Sequence, residues 1–104
     1  MMDEQDFKLR SDESLTRLYN ALGKASERHD FETDFGGSLT VEFEDPPAKF
    51  VVSPNTPVRQ IWISALSTSF KLDWDPAGKA FILPRTAEQL TPLVDRLIAE
   101  HLEG

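Results

Sequence analysis

The acidic side chains of this sequence are concentrated where they could bind metal cations. Of its 104 residues, 18 are acidic and 11 basic, and the whole excess of negative charge lies within residues 1–45, because residues 46–104 carry six of each sign. Six carboxylates occur between positions 30 and 45 with no basic residue among them: Asp30, Glu32, Asp34, Glu42, Glu44 and Asp45. Carboxylate oxygens are preferred ligands of hard cations, and a local negative field also attracts basic protein surfaces.

Most of these carboxylates alternate with apolar residues, which predicts two strands joined by a hairpin. The turn is expected at Gly36-Gly37-Ser38, and a three-residue loop there gathers six alternating side chains on one face: Phe31, Thr33, Phe35, Leu39, Val41 and Phe43. A two-residue loop would instead set Phe31 against Glu42. We therefore predict the register in which Phe35 faces Leu39.

This register places like charges opposite each other on the polar face. Glu32 then opposes Glu42 and Asp30 opposes Glu44, an arrangement that destabilises a sheet by up to about 1 kcal/mol a pair. Side chains two positions apart on a strand are roughly 7 Å apart, so the carboxylates form a row that can share weakly held cations, not a tight cage. The alternative interpretation is a solvated acidic edge that discourages aggregation.

A second candidate site is the segment Gln60-Ile61-Trp62-Ile63-Ser64. If Ile61 and Ile63 face a core, the alternating side chains, Trp62 included, point into water on the opposite face of the sheet. Val51 and Lys71 are expected on that face too. Tryptophan is enriched at interface hot spots, so Trp62 is a candidate partner contact. The alternative is that a loop covers Trp62 or that the strand is buried on both sides.

Amphipathic segments at both ends of the chain predict the helices that position these strands. In residues 3 to about 28, apolar side chains recur at intervals of three and four: Leu15, Leu18, Tyr19, Leu22 and Ala25. A matching stripe follows Thr86, a candidate N-cap, with Pro92 early enough to be tolerated: Leu90, Leu93, Val94, Leu97, Ile98 and Leu102.

Four more strand candidates lie between the predicted helices, at residues 49–53, 60–64, 70–74 and 80–83, and short turn-forming segments separate them. Short connections favour antiparallel pairing, and two helices with one apolar stripe each can cover one side of a sheet. We predict an α+β fold in which residues 1–104 form a single domain. It is a two-layer α/β sandwich, with two helices packed on one face of a five- to six-stranded antiparallel sheet.

The composition excludes several classes of chemistry and argues against others. The chain has no cysteine, which rules out disulfides, thiolate zinc sites and a cysteine nucleophile. Its acidity argues against nucleic-acid binding, and the lack of a long apolar run or signal-like N-terminus predicts a cytoplasmic protein that does not enter a membrane. No serine lies in a Gly-x-Ser-x-Gly elbow, and His29 and His101 have no ligand spacing. We expect His29 to be exposed near the end of the first helix and His101 to lie in the last helical turn. We assign no catalytic residue and no organic cofactor.

The segment Thr56-Pro57-Val58-Arg59-Gln60-Ile61-Trp62-Ile63-Ser64 closely resembles the signature strand of the frataxin family. A long helix and an acidic strand precede it, as in that family, and Gly36-Gly37-Ser38-Leu39-Thr40-Val41-Glu42-Phe43 is similar to the family's Gly-Gly hairpin. Phe70-Lys71-Leu72-Asp73-Trp74 and a closing helix follow in the expected places. The resemblance covers nearly the whole chain.

The resemblance implies the fold predicted above and a weak iron-binding role for an acidic ridge on the first helix and first strand. The ridge would take Fe²⁺ and Fe³⁺. The residues carried over as iron ligands, together with Glu27 close to the ridge, are Asp30, Glu32, Asp34, Asp12 and Glu4. Lys24 and Arg28 interrupt the ridge where the family is usually crowded with carboxylates, so we expect a reduced iron capacity.

The resemblance also implies two protein partners, the cysteine desulfurase and the scaffold protein of iron–sulfur cluster assembly. Trp62 and Gln60 match the family's sheet-face pair for partner contact. Asn55 and Lys71 are further candidates for partner contact. Asn55 lies in the segment Ser53-Pro54-Asn55, which differs from the Asn-Lys-Gln type segment usual in the family. Lys71 replaces a frequent arginine and cannot make the bidentate contacts of a guanidinium.

Three functional hypotheses follow. The first is an iron-binding accessory protein that delivers iron to cluster assembly or regulates it. The second is a metal-independent interaction module that regulates a complex of the desulfurase and scaffold. The third and weakest is a ferroxidase, since neither predicted helix carries the Glu-x-x-His pair of a di-iron carboxylate site. We expect a monomer, with iron-dependent oligomerisation as the alternative.

Overall fold

The computed structural model describes residues 2–27 and 30–103, which form two helices, seven strands and one short 3₁₀ turn. The helices are α1 (Glu4–Ala25) and α2 (Leu90–Glu103), and the 3₁₀ turn covers Thr56–Val58. The strands are β1 (Phe31–Gly36), β2 (Ser38–Glu44), β3 (Pro47–Asn55), β4 (Gln60–Ala65), β5 (Thr68–Asp75), β6 (Ala80–Leu83) and β7 (Glu88–Gln89). They form one antiparallel sheet in sequence order from β1 to β7, so β1 and β7 are its edges.

The predicted two-layer arrangement is confirmed, with seven strands where the sequence predicts five or six. The additional strand is β7, which pairs through Leu83 with Glu88 and Ile82 with Gln89. One face of the sheet and the apolar stripes of both helices form a common core. Burial alternates along the central strands, so that Leu39, Ile61, Ile63 and Leu72 are buried while their neighbours in the sequence are more exposed. Neither helix described here is long and apolar enough to cross a membrane.

Helix α1 begins one residue later than predicted because Asp3 caps it. The Asp3 carboxylate accepts a hydrogen bond of 2.7 Å from the Asp6 backbone N–H, which satisfies one of the free donors of the first turn. The buried stripe contains the predicted leucines and extends further towards the N-terminus: Phe7, Ser11, Leu15, Leu18 and Leu22. Tyr19 is 39% exposed and packs its ring 5.7 Å from that of Phe35. The helix ends at Ala25, and the predicted end near Arg28 lies outside the described residues.

The register of the β1 and β2 hairpin is confirmed. Phe35 pairs with Leu39, Phe31 pairs with Phe43, and Glu32 pairs with Glu42. Gly36 and Ser38 pair with each other, and Gly37 turns the chain at a φ of 83°, a conformation that favours glycine. The pairing begins at Phe31, so Asp30 precedes the paired strand and the predicted opposition of Asp30 to Glu44 is not part of the register.

The prediction that Thr86 caps the closing helix is wrong. The chain stays extended through β7, and α2 begins at Leu90. The Thr86 hydroxyl instead donates to the Glu88 carboxylate at 2.8 Å and accepts from the Glu88 backbone N–H at 3.2 Å. Pro92 is the third residue of α2, where a backbone N–H has no partner within the helix to lose.

Arg96 ties β7 to α2. Its guanidinium donates to both carboxylate oxygens of Glu88, at 2.7 and 2.9 Å, and to Glu100 one helical turn further on at 2.8 Å. The hydrogen bonds from Arg96, followed by that from Thr86, lower the pKa of Glu88 below its usual value. The same contacts raise the pKa of Arg96. The two-residue strand β7 is therefore held by a side-chain clamp as well as by its short ladder.

This clamp predicts a pH-dependent contribution to stability. A carboxylate whose pKa is lowered on folding stabilises the protein above the unfolded pKa of about 4.5 and loses that contribution as the pH falls through the lower folded value. Urea unfolding of Glu88→Gln should therefore show a stability deficit at neutral pH that shrinks at about pH 3. Glu103→Gln, elsewhere on α2, is the control. A deficit that is equal at both pH values would contradict the assignment.

The hairpin register predicts that Glu32→Gln stabilises the protein. The change relieves a like-charge pair, worth less than about 1 kcal/mol here because Lys49 faces Glu42 from the other side. Asp30→Asn should give a smaller gain, because Asp30 lies before the paired strand. Thermal unfolding in metal-free buffer of low ionic strength, where charge effects are least screened, measures both. Equal gains from the two variants would show that the charges are not arranged as described.

Candidate partner and metal surfaces

The face of the sheet turned away from the helices presents Trp62 at its centre. Ile61 and Ile63, on either side of it in β4, are almost completely buried, whereas Trp62 is 37% exposed. The predicted orientation is therefore confirmed, and the alternatives of a covering loop or two-sided burial are wrong. Trp62 pairs with Ser53 of β3 and Lys71 of β5, which makes it the middle of a row across three strands.

The approach to β4 sets where this strand begins. Asn55 ends β3, Pro57 lies within the 3₁₀ turn, and Arg59 adopts the left-handed conformation with a φ of 55°. The Arg59 guanidinium donates to the Thr56 carbonyl oxygen, which closes the turn on itself. The chain thereby reverses so that Gln60 pairs with Asn55 and Trp62 follows two residues later on the same face.

Three side chains contact Trp62 or its hydrogen-bond partner. The indole Nε1–H donates to Gln60 Oε1 at 2.9 Å, and Gln60 Nε2 donates to Asp73 Oδ1 at 2.8 Å. The Lys71 ammonium lies 4.8 Å from the centre of the Trp62 ring, within the range of a cation–π interaction. Trp62 is thus held by a directed hydrogen bond and has a positive charge beside its ring.

The four residues predicted to contact partners lie together on this face. We call the surface formed by Asn55, Gln60, Trp62 and Lys71, together with Asp73, the tryptophan face. Asn55 and Gln60 are cross-strand partners, as are Trp62 and Lys71. Sequence reasoning missed Asp73, which pairs with Gln60 across β4 and β5. Asp73 could have been found from the alignment of β4 with β5, but predicting that alignment requires knowing the turn between the two strands.

The strand carboxylates lie at the edge of the same sheet face. Glu32 and Asp34 are exposed on β1, the edge strand, while Phe31 and Phe35 point towards the core. Glu32 pairs with Glu42, which pairs in turn with Lys49 of β3. Exposed charges on an edge strand also discourage pairing with another chain, which is the alternative role predicted for these carboxylates. We call Glu32, Asp34 and Glu42 the acidic edge.

The remaining metal candidates are exposed but dispersed. Glu4 lies 3.6 Å from the Lys8 ammonium, and Asp12 is about 12 Å further along the helix axis. Asp12 borders a shallow groove with Gly37, at the turn end of β1. Glu27 follows α1 and Asp30 precedes β1, with Arg28 and His29 between them outside the described residues. The interruption of the ridge by Arg28 and the exposure of His29 therefore stay predictions.

Across residues 2–27 and 30–103, no group of three or more histidine or carboxylate side chains is arranged to hold a metal ion. His101 lies in the last turn of α2 as predicted, with Nε2 2.8 Å from the Pro46 carbonyl oxygen and its ring 4.6 Å from that of Phe43. That contact joins the end of α2 to the turn between β2 and β3. Within the described residues, the carboxylates therefore form a dispersed negative surface and not a closed metal site.

The sequence of this chain is similar to the sequences of known proteins. The chain matches the family model described as a frataxin-like domain over residues 1–104. It is 33% identical over 77 residues to the iron-sulfur cluster assembly protein CyaY of Dechloromonas aromatica, covering 74% of this chain and 72% of that one. The protein of the same name from Pseudomonas fluorescens strain Pf0-1 is 28% identical over 89 residues, with coverages of 86% and 79%.

A solved structure has the same fold. It is a frataxin from Psychromonas ingrahamii, described as a model for stability modulation within the CyaY protein family. The TM-score is 0.75 at 21% sequence identity, and the match covers 96% of this chain and 91% of that chain.

Proposed function

This chain belongs to the frataxin family, and from that membership we propose that it acts in iron–sulfur cluster assembly. The names of its relatives support this role, since CyaY proteins from several bacteria are described as iron-sulfur cluster assembly proteins. The observation that carries the proposal furthest is the presentation of Trp62. A partly exposed tryptophan, held by a hydrogen bond to Gln60 on a sheet face that the helices leave bare, is suited to binding another protein.

The partners we propose are the cysteine desulfurase and the scaffold protein of cluster assembly, bound through the tryptophan face. Trp62 supplies rigid apolar area, and Lys71 and Asp73 supply one charge of each sign beside it. An apolar centre with polar groups around it is the usual composition of a protein interface. The same face is bordered by the acidic edge, which adds electrostatic attraction for a basic partner surface.

The second part of the proposal is that the acidic edge binds iron weakly, as cargo to be passed on. Its ligands are carboxylate oxygens, which suit hard cations. Because they are exposed and lie along a strand, each ion would keep most of its water and exchange readily. Weak binding is what a protein that passes iron to another needs, since tight binding would oppose the transfer. Asp30, Glu27, Asp12 and Glu4 would add to the local field more than to a single site.

The acidic edge and the tryptophan face are far enough apart that both can be occupied at the same time. Glu32 on β1 and Trp62 on β4 lie three strands apart, which corresponds to about 14 Å across the sheet. An ion at the edge would therefore leave the indole free for a partner. This separation also makes the two parts of the proposal testable independently.

A metal-independent docking module is the second candidate function. It is favoured by the dispersion of the carboxylates and by the pairing of Glu4 with Lys8. Under this alternative the acidic edge would only steer a basic partner. A ferroxidase would need grouped iron ligands, which the described part of the chain does not provide, and we do not propose it.

An anaerobic Fe²⁺ titration followed by NMR separates the two candidates. We expect the paramagnetic ion to broaden backbone amides near Glu32 and Asp34 at micromolar to millimolar concentrations, while the Trp62 indole signal persists. Glu32→Gln combined with Asp34→Asn should abolish this broadening. Glu100→Gln combined with Glu103→Gln removes the same charge from α2 and should leave it intact. If no amide near β1 responds, the metal-independent module is the better description.

Trp62→Ala should weaken binding to the complex of desulfurase and scaffold. Loss of a hot-spot tryptophan costs about 2 kcal/mol or more, which is roughly 30-fold in Kd. Tyr19→Ala is a matched control, because Tyr19 is an aromatic residue of similar exposure on the helix layer. Isothermal titration calorimetry with both variants measures the difference. Equal affinities for Trp62→Ala and the wild-type protein would place the docking surface elsewhere.

A further inference from the structure

The carboxylate of Asp73, on the tryptophan face, is linked to Trp62 through Gln60. Its Oδ1 accepts from Gln60 Nε2 at 2.8 Å, and Gln60 Oε1 accepts from the Trp62 indole at 2.9 Å. Gln60 and Asp73 are direct partners in the register of β4 and β5, so the backbone holds the first contact in place. The second joins residues two apart on one strand, which share a face. The three side chains form a chain of hydrogen bonds.

The chemistry of the two ends allows only one orientation of the middle residue. A carboxylate can only accept hydrogen bonds, and an indole N–H can only donate one. The Gln60 amide satisfies both only with its NH₂ towards Asp73 and its oxygen towards Trp62. Turning it over would set two acceptors together at one end and two donors together at the other, and both hydrogen bonds would be lost.

We propose that Asp73 is a positioning residue for Trp62, acting through the Gln60 amide. The negative carboxylate fixes the amide orientation, and the amide then fixes the indole by its N–H. Lys71 is the cross-strand partner of Trp62 in β5, and its ammonium lies beside the ring, so the indole has its hydrogen bond on one side and a positive charge next to it. The relevance of this to partner binding rests on the docking function proposed above.

The arrangement also defines how a partner meets Trp62. The indole N–H is occupied within the protein, so the ring offers its carbon surface, and a polar contact beside it comes from Lys71. The partner group that fits is an apolar side chain on the ring with an acceptor, such as a carboxylate or carbonyl oxygen, near the ammonium.

The test in the free protein uses the indole N–H signals of the only two tryptophans, Trp62 and Trp74, with Trp74 as the internal reference. Asp73→Ala should increase the hydrogen-exchange rate of the Trp62 indole by about threefold or more, the effect of weakening one hydrogen bond. The Trp62 indole signal should also move towards its position in Gln60→Leu, a variant that lacks the amide acceptor. Asp73→Asn keeps an acceptor and should preserve most of the wild-type signal. Glu44→Ala removes a carboxylate from another strand of the sheet and should change nothing.

An unchanged Trp62 signal in Asp73→Ala would overturn the proposal, as would equal effects of the alanine and asparagine substitutions. This outcome does not depend on any partner. With the desulfurase and scaffold present, Asp73→Ala should raise Kd by about three- to tenfold and Asp73→Asn by less. If Trp62→Ala weakens binding and Asp73→Ala does not, positioning by Asp73 is refuted. If Trp62→Ala has no effect, the docking function fails while the NMR result still decides the role of Asp73.

Discussion

The helices bury only one face of the sheet, and this one-sided burial decides which side chains of each strand reach solvent. Two helices with one apolar stripe each can cover a single side, so side-chain burial alternates along the central strands. The alternation puts Ile61 and Ile63 in the core and forces Trp62 between them into solvent. A shift of one residue in the register would turn Trp62 into the core. In the observed register Trp62 faces outwards, where only contact with another molecule can bury it.

The same constraint places the acidic edge and the tryptophan face on one surface. Glu32 and Asp34 alternate on β1 with the buried Phe31 and the half-buried Thr33 and Phe35, just as Trp62 alternates with buried isoleucines on β4. The sheet tolerates the opposition of Glu32 and Glu42 because Lys49 faces Glu42 from β3 and because β1 is an edge strand open to water. One surface therefore combines a cation-attracting border with an apolar centre, which is the combination the proposed function uses.

The pattern of apolar and polar residues predicts those features of the fold that depend on neighbouring residues in the sequence. The register of β1 and β2 follows from alternation around Gly37, and the direction of Trp62 follows from its isoleucine neighbours. Features that depend on pairing between strands were not predictable in the same way. The β4 and β5 strands are joined by Leu66 and Ser67, which both adopt positive φ although neither residue type signals such a turn, so the pairing of Gln60 with Asp73 could not be read from the sequence. Strand β7 and the role of Thr86 depart from the sequence prediction because the short ladder to β6 overrides a helical start signal.

We propose that the bare face of the sheet, with Trp62 at its centre, is where this protein binds its partner. Cross-saturation NMR tests it most directly, with the isotope-labelled chain bound to the unlabelled scaffold protein and the helix layer as the internal comparison. Saturation should transfer to the amides and side chains of Asn55, Gln60, Trp62 and Lys71 and not to the exposed surfaces of α1 and α2. Transfer to the helices with none to β4 would contradict it.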